Sequence, residues 1–367
     1  MLHTPILQRH WGARETAHPP VPAPALDDQA MLRAAADVTR SLNVARPAIY
    51  WTDLLGSVTV GYAALAGALL LSGALAVVSA IVAVVALYRA GSFIHELTHI
   101  KRGAVPGFKL AWNLLIGIPL LVPSFLYEGV HNQHHAKRYY GTINDPEYLP
   151  LALMKPWTLP LFLVAAALAP VAMLVRFAVL APLSLVSRKL RKLVVSRYSG
   201  LQINPQFRRP APEGDLARQW MWQETAACVW AITLLTLTAT GVIPAAAFAT
   251  VLIIAAGVMF LNQVRTLVAH LWENDGEPMS VTAQYLDSVN VPPPATLPVL
   301  WAPVGLRYHA LHHLLPGVPY HNLGEAHRRL CAELGDASPY HASSHRGIWK
   351  LVGRLAASTV RSARGQR

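Results

Sequence analysis

Cysteine is almost missing from this chain: there are two among 367 residues, Cys228 and Cys331. That excludes a disulfide framework and leaves too few thiolates for an iron–sulfur cluster. Charge is also scarce. Only 14% of residues are Asp, Glu, Lys or Arg, while 53% are hydrophobic, and the mean hydropathy is +0.34. That is too apolar for an ordinary soluble domain. Acid is scarcer than base, 19 residues against 31, for a net charge of +12. No base-stacking motif interleaves the basic residues, so they read as solvated charge at a membrane surface and not as a nucleic-acid site. The first 50 residues lack the basic-then-apolar pattern of a secretory leader. No repeat of solenoid period is present.

Where charge disappears altogether, the chain is long enough to cross a bilayer. Leu54 to Tyr88 is uncharged over 35 residues and Thr225 to Val264 over 40, against roughly 20 for one span. Ser72-Gly73 and Gly241 to Pro244 divide these runs, which predicts two transmembrane helical hairpins, four spans in all. Basic residues lie outside the hairpin turns, among them Lys101-Arg102, Lys137-Arg138, Arg188-Lys189 and Arg208-Arg209. By the positive-inside rule both termini face the cytoplasm. Ala111 to Tyr127, interrupted by Pro119 and Pro123, reads as re-entrant or interfacial. Trp157 to Leu183, interrupted by Pro160, Pro170, Arg176 and Pro182, reads as an in-plane or shallow hairpin. The fold class is therefore all-α integral membrane. Residues 1–50 form an N-terminal arm with a Pro-rich piece at Pro19 to Pro24 and a helix opening at Asp27-Asp28. Residues 51–345 form the membrane domain. Residues 346–367 form a basic amphipathic tail suited to anionic lipid.

Histidine is the abundant reactive residue, 16 in all. Eight stand in three clusters, His95-x3-His99, His131-x2-His134-His135 and His309-x2-His312-His313, each beside an apolar stretch; His270 is a ninth candidate. On a helix, positions i, i+3 and i+4 share a face, and neutral imidazole is the commonest transition-metal ligand. One octahedral metal takes six ligands, so nine histidines imply more than one ion. The remaining histidines read as surface or loop residues.

Two other readings compete for the first cluster. His95-Glu96-Leu97-Thr98-His99 matches the HExxH of zinc proteases, but a zincin needs one further ligand and leaves both HxxHH clusters unused. Glu96-x-x-His99 and Glu128-x-x-His131 match the motif of carboxylate-bridged di-iron bundles, which likewise leaves most of the histidines surplus. Glu96 and Glu128, and Asp145 beside them, read instead as acceptors that orient the ligands' distal N–H groups. A non-catalytic metal transporter should place ionisable ligands within its spans, and these spans are empty of them.

HELTH at 95–99, HNQHH at 131–135 and HALHH at 309–313, the last followed by Leu-Leu-Pro-Gly-Val-Pro-Tyr-His-Asn-Leu, resemble the three histidine boxes of the membrane fatty acid desaturase/hydroxylase superfamily. The resemblance covers roughly residues 50 to 330. It implies four transmembrane helices under a cytoplasmic cap holding two non-heme irons, with O2 as co-substrate. It also implies a ninth ligand between the second and third boxes, where His270 stands. In some members an asparagine four residues earlier contacts metal through water; here that position is Thr266, with Asn262 one turn before it. The superfamily oxidises lipid or fatty acyl substrates, because breaking an unactivated C–H bond needs an oxidant that side chains lack. The resemblance implies first an acyl desaturase, with a hydroxylase on the same site as the alternative. No His-Pro-Gly-Gly string and too few cysteines are present for a fused cytochrome b5 or ferredoxin. A separate electron donor of either type, with its reductase, is therefore expected, in a multi-pass protein of a bacterial inner membrane whose active site faces the cytoplasm.

Overall fold

The fold is set by how long apolar helices end, and by what the chain does immediately after each end. A computed structural model describes residues 27–365; Pro19 to Pro24 lie outside them. Helix α1 (Gln29–Leu42) opens where Asp28 accepts a hydrogen bond from the Met31 amide at 2.7 Å, an N-cap of the expected kind. Next come α2 (Pro47–Leu70) and α3 (Gly73–Leu97), joined by a break at Leu71-Ser72. A Cβ on Gly61 would stand 2.7 Å from Leu87 Cδ2, and one on Gly67 would stand 2.9 Å from Ser79 Oγ. The small residues of this hairpin therefore serve close helix packing.

The chain continues through α4 (Phe108–Trp112), which runs into a π turn at Asn113–Gly117, and α5 (Val130–His134). Asn113 closes the stretch between them. Its Oδ1 accepts from the Ser124 amide at 2.8 Å and its Nδ2 donates to Ser124 Oγ at 3.0 Å, so the chain folds back on itself across the interruption at Pro119 and Pro123.

Then follow α6 (Thr158–Ala167), α7 (Ala169–Val175), a π turn at Arg176–Leu180, α8 (Ala181–Ser184) and α9 (Arg188–Tyr198). The segment expected as an in-plane or shallow hairpin, 157–183, is a helix pair bent by 52°, the shape of a broken span or of a re-entrant loop. Arg176 explains why it is not a plain span: its guanidinium is buried and pairs with Glu224 at 2.6 Å.

Helices α10 (Gly214–Ala239) and α11 (Ala245–Leu267) flank the turn foreseen at 241–244. Among the described residues three helices are long and apolar enough to cross a membrane, α2, α3 and α11, or up to four if the bent pair is one span. The first arm of the expected second hairpin, α10, is not among them, because its first half carries Gln219, Gln223 and Glu224.

The cap is completed by α12 (Val281–Asp287), α13 (Pro298–Trp301), α14 (His309–Leu314), α15 (Leu323–Glu333) and α16 (Ile348–Gly365). No strand occurs among the described residues, only isolated bridges such as His270 to Ser288. The C-terminal helix buries part of its apolar face within the protein and leaves Trp349 exposed. Leu355 packs with Tyr148 and Trp272, Leu351 packs with Val268 and Val289, and Arg354 pairs with Glu273 at 2.8 Å. Its amphipathic pattern, read from sequence as a membrane-surface signal, is thus satisfied in part by the cap through Leu351 and Leu355.

Candidate metal centre

Each histidine cluster sits where a helix begins or ends. His95 occupies the last turn of α3 and His99 lies just beyond it, with Thr98 Oγ1 donating to the His95 carbonyl at 2.7 Å. The second cluster lies on α5, opened by Gly129 at φ 77°, a left-handed value that favours glycine. The third forms α14. His270 follows α11 and is held by its bridge to Ser288.

The nine histidines come together in two groups. In each, one nitrogen per ring lies within 4.8 Å of all the others. The first group is His95, His99, His131, His135 and His312; the second is His134, His270, His309 and His313. The clusters are therefore not the groups. In each HxxHH the i, i+4 pair goes to one group and the remaining histidine to the other. Box two gives His131 and His135 to the first group and His134 to the second. Box three does the reverse, giving His309 and His313 to the second and His312 to the first.

These donors fit metal ions. The Nε2 atoms approach pairwise, His131 to His135 at 3.0 Å, His270 to His309 at 3.0 Å and His99 to His312 at 3.1 Å. Neither nitrogen of the buried His95 has a hydrogen-bond partner, nor has Nδ1 of His309 or His312. A buried polar atom without a partner is costly, and a cation among the rings removes that cost. Burial, then the neighbouring imidazoles, hold His131, His135, His309, His312 and His313 well below the usual histidine range; burial alone takes His99 to about 4. Neutral rings keep the lone pairs a metal needs.

Behind the rings stand carboxylates. The His134 Nδ1–H donates to Asp145 Oδ2 at 2.9 Å, and the His131 Nδ1–H donates to Glu147 Oε1 at 3.0 Å beside the Tyr127 hydroxyl at 2.8 Å. His270 Nδ1 meets the Tyr140 hydroxyl at 2.8 Å, which lies 2.9 Å from Asp287 Oδ2. Burial opposes charge on His134, but Asp145 outweighs it and raises this one ring above the usual range. Burial lifts Glu147 to about 7 and Asp287 to about 6.

Of the three carboxylates expected to orient ligands, then, Asp145 does so. Glu96 lies 4.0 Å from His95 Nδ1 and accepts from the Tyr50 hydroxyl at 2.6 Å. Glu128 is a correction: it pairs with Lys109 Nζ at 2.6 Å and Ser124 Oγ at 2.8 Å, and takes no histidine partner. Its helical spacing from His131 is real, but Gly129 breaks the helix between them. Sequence reasoning missed Glu147 and Asp287, along with Tyr127 and Tyr140. Glu147 stands only two residues beyond Asp145, which was a usable signal; nothing local marks Asp287. Thr266 Oγ1 donates to the Asn262 carbonyl at 3.0 Å, so its hydroxyl is engaged within its own helix. A cavity of about 30 Å³, large enough for water, borders Glu96, His99 and Lys101.

This geometry leaves the HExxH protease reading with two surplus ligands in the group around His95 and His99. A profile described as fatty acid desaturase matches residues 68–344, a stretch that encloses all nine histidines. A ceramide hydroxylase of Caulobacter vibrioides (strain NA1000 / CB15N) is 47% identical over 329 residues, covering 89% of this chain and 93% of that protein. No solved structure matches the chain. The three boxes, the helices that carry them and the extent of these matches lead to one assignment: the chain belongs to the fatty acid desaturase family.

Proposed function

We propose that this protein hydroxylates a lipid of the ceramide class at an iron pair, one ion held by His95, His99, His131, His135 and His312 and the other by His134, His270, His309 and His313. The observation that carries hydroxylation over desaturation, the reading placed first from sequence, is the 47% identity over most of both chains to a protein named for that reaction. When bound, iron with O2 supplies an oxidant strong enough for an unactivated C–H bond. The overall change is balanced as lipid C–H plus O2, two electrons and two protons giving lipid C–OH plus water. The electrons come from a separate one-electron carrier.

The chain's own residues provide order and dryness. Asp145, Glu147 and the Tyr140–Asp287 pair fix the tautomers of His134, His131 and His270, so that the opposite nitrogen of each ring faces inward. Burial keeps bulk water from the reacting carbon.

Topology follows from the same assembly. All nine histidines share one place, so the chain makes an even number of crossings between His135 and His270. Helix α11 is one crossing. We take α10 as the second: its first half is too polar for the whole helix to count as a plain apolar span, but it is uncharged from Thr225 onward and joins α11 by a short turn, which leaves the bent pair α6–α8 re-entrant. The basic loops put the histidines on the cytoplasmic side, in an inner membrane.

The test is purified protein in nanodiscs with iron, a reductant system, 18O2 and an N-acyl amino-alcohol lipid. Product heavier by one 18O atom is expected. A product lighter by two hydrogens would restore the desaturase reading, and no oxidised lipid at all would remove both. For topology, Ser72→Cys should react with an impermeant thiol reagent from outside the cell and Ser343→Cys should not. The reverse pattern overturns the orientation.

A further inference from the structure

Arg265 stands on the last turn of α11, five residues before His270. It is only 8% exposed, and its Nε is sealed from solvent without a hydrogen-bond partner. Among the described residues no carboxylate lies within ion-pairing distance of it. The other deeply buried arginines are provided for: Arg176 has Glu224 at 2.6 Å, and Arg209 donates to the carbonyls of Phe125, Ser199 and Glu128. The Tyr88 hydroxyl, which donates to the Trp301 carbonyl at 2.8 Å, keeps its oxygen free to accept from the Arg265 guanidinium, a neutral partner and not a counter-charge.

Its position faces the metal centre. The Arg265 charge bears on His270 and His309 of the second group, and on Tyr127 and Glu147 around His131 of the first. Tyr88 precedes His95 on α3 as Arg265 precedes His270 on α11. The guanidinium therefore lies on the side of the histidine cluster from which the apolar helices arrive, where a lipid chain would enter. A buried cation with no carboxylate in contact is unfavourable: Tyr88 offers Arg265 one neutral acceptor and Glu147 acts only at longer range, while Nε has no partner at all. The guanidinium therefore has donor capacity left for an oxygen acceptor brought in from outside.

We infer that Arg265 binds a head-group oxygen of the lipid substrate at the membrane-facing floor of the histidine cluster, and so directs oxidation to a carbon beside the head group. This deepens the functional reading above and rests on it for the substrate class. An N-acyl amino alcohol carries an amide carbonyl and hydroxyls close together, which suit a guanidinium's forked donors. A chain sliding further in would present only methylenes and leave the charge unpaired. Arg265 is thus a positioning residue that selects which carbon meets the oxidant.

The experiment uses the full chain in nanodiscs, as wild type and as Arg265→Lys, Arg265→Gln and Arg265→Met. Affinity for an N-acyl amino alcohol and for a plain hydrocarbon of equal chain length is measured without turnover, and metal content is measured on the same samples. The position of the new hydroxyl is then read by product fragmentation. Arg265→Met should weaken binding of the N-acyl lipid by about ten- to a hundredfold, the range for a hydrogen bond to a charged group, and leave hydrocarbon binding unchanged. Arg265→Lys should recover part of the loss. The wild-type hydroxyl should sit next to the amide or a hydroxyl-bearing carbon, and spread along the chain in Arg265→Gln. Unchanged affinity and position in the variants that fold overturns the inference. So does loss of metal with lipid affinity intact, which would make Arg265 a support for the histidines. Because the affinity arm needs no turnover, it decides the matter even if the wild type fails to oxidise the lipid, the outcome that removes only the functional reading.

Discussion

The two histidine groups lie side by side yet are held differently. The first gathers five rings, of which His131 alone hydrogen-bonds a carboxylate, Glu147, while His95 has no partner at either nitrogen. The second gathers four, with His134 bonded to Asp145 and His270 linked through Tyr140 to Asp287. The first also borders the cavity at His99. Under the proposed function, more ligands with less outer support and an opening beside them would suit the ion that meets a small molecule, and fewer ligands with more support would suit the ion held more firmly. A pair of sites can thus be similar in ligand chemistry and unequal in rigidity.

The largest effect that would break this comparison comes from removing a ligand on either side. His95→Ala and His309→Ala should each abolish lipid oxidation, and metal analysis should show retention falling from about two ions per chain to about one. If either variant keeps both ions and full activity, the two groups are not the metal sites.

Smaller effects sharpen it. Asp145→Asn and Glu147→Gln should each weaken metal retention by about 10- to 100-fold, seen in competition with a chelator. In the wild type the chelator should withdraw the first group's ion before the second's. Simultaneous release would erase the proposed difference in rigidity. Glu96→Gln should reduce activity by no more than that range and leave product detectable; complete loss with metal retained would reopen the general-base role of an HExxH glutamate. Glu128→Gln should leave metal affinity unchanged and cost about 1 kcal/mol or less in stability, since its partner Lys109 is partly exposed.

The gentlest perturbation is pH. His99, lowered to about 4, and six other depressed histidines of the two groups, His131, His135, His270, His309, His312 and His313, stay neutral when folded. Unfolded histidine binds protons below about 6.5. Their contribution is therefore complete above that pH and lost as pH falls through the interval down to the folded values. Raised Glu147, Asp287 and His134 act in the opposite direction, but they are fewer. The thermal midpoint of metal-free protein should fall from pH 7 to pH 5; a rise would show that the carboxylates dominate.

Much of this was legible before any coordinates. Charge-free runs announced α2, α3 and α11 because a bilayer tolerates little else. Asp28 announced the cap of α1, and spacing singled out the eight clustered histidines, since ligand chemistry depends on residue type and local helical period; His270 came from the family resemblance. What the sequence could not say is which histidine belongs with which. The i, i+4 pair and the odd ring of each HxxHH go to different groups, each completed by rings from distant parts of the chain. Likewise Glu128 had the right spacing for a ligand's partner and the wrong geometry, while Asp287, far along the chain, had the right geometry and no spacing to betray it. The C-terminal helix shows the same limit: amphipathicity specifies a buried face without naming what buries it. Local pattern determined the elements and the donor atoms. Only packing over long sequence separations decided how they were shared.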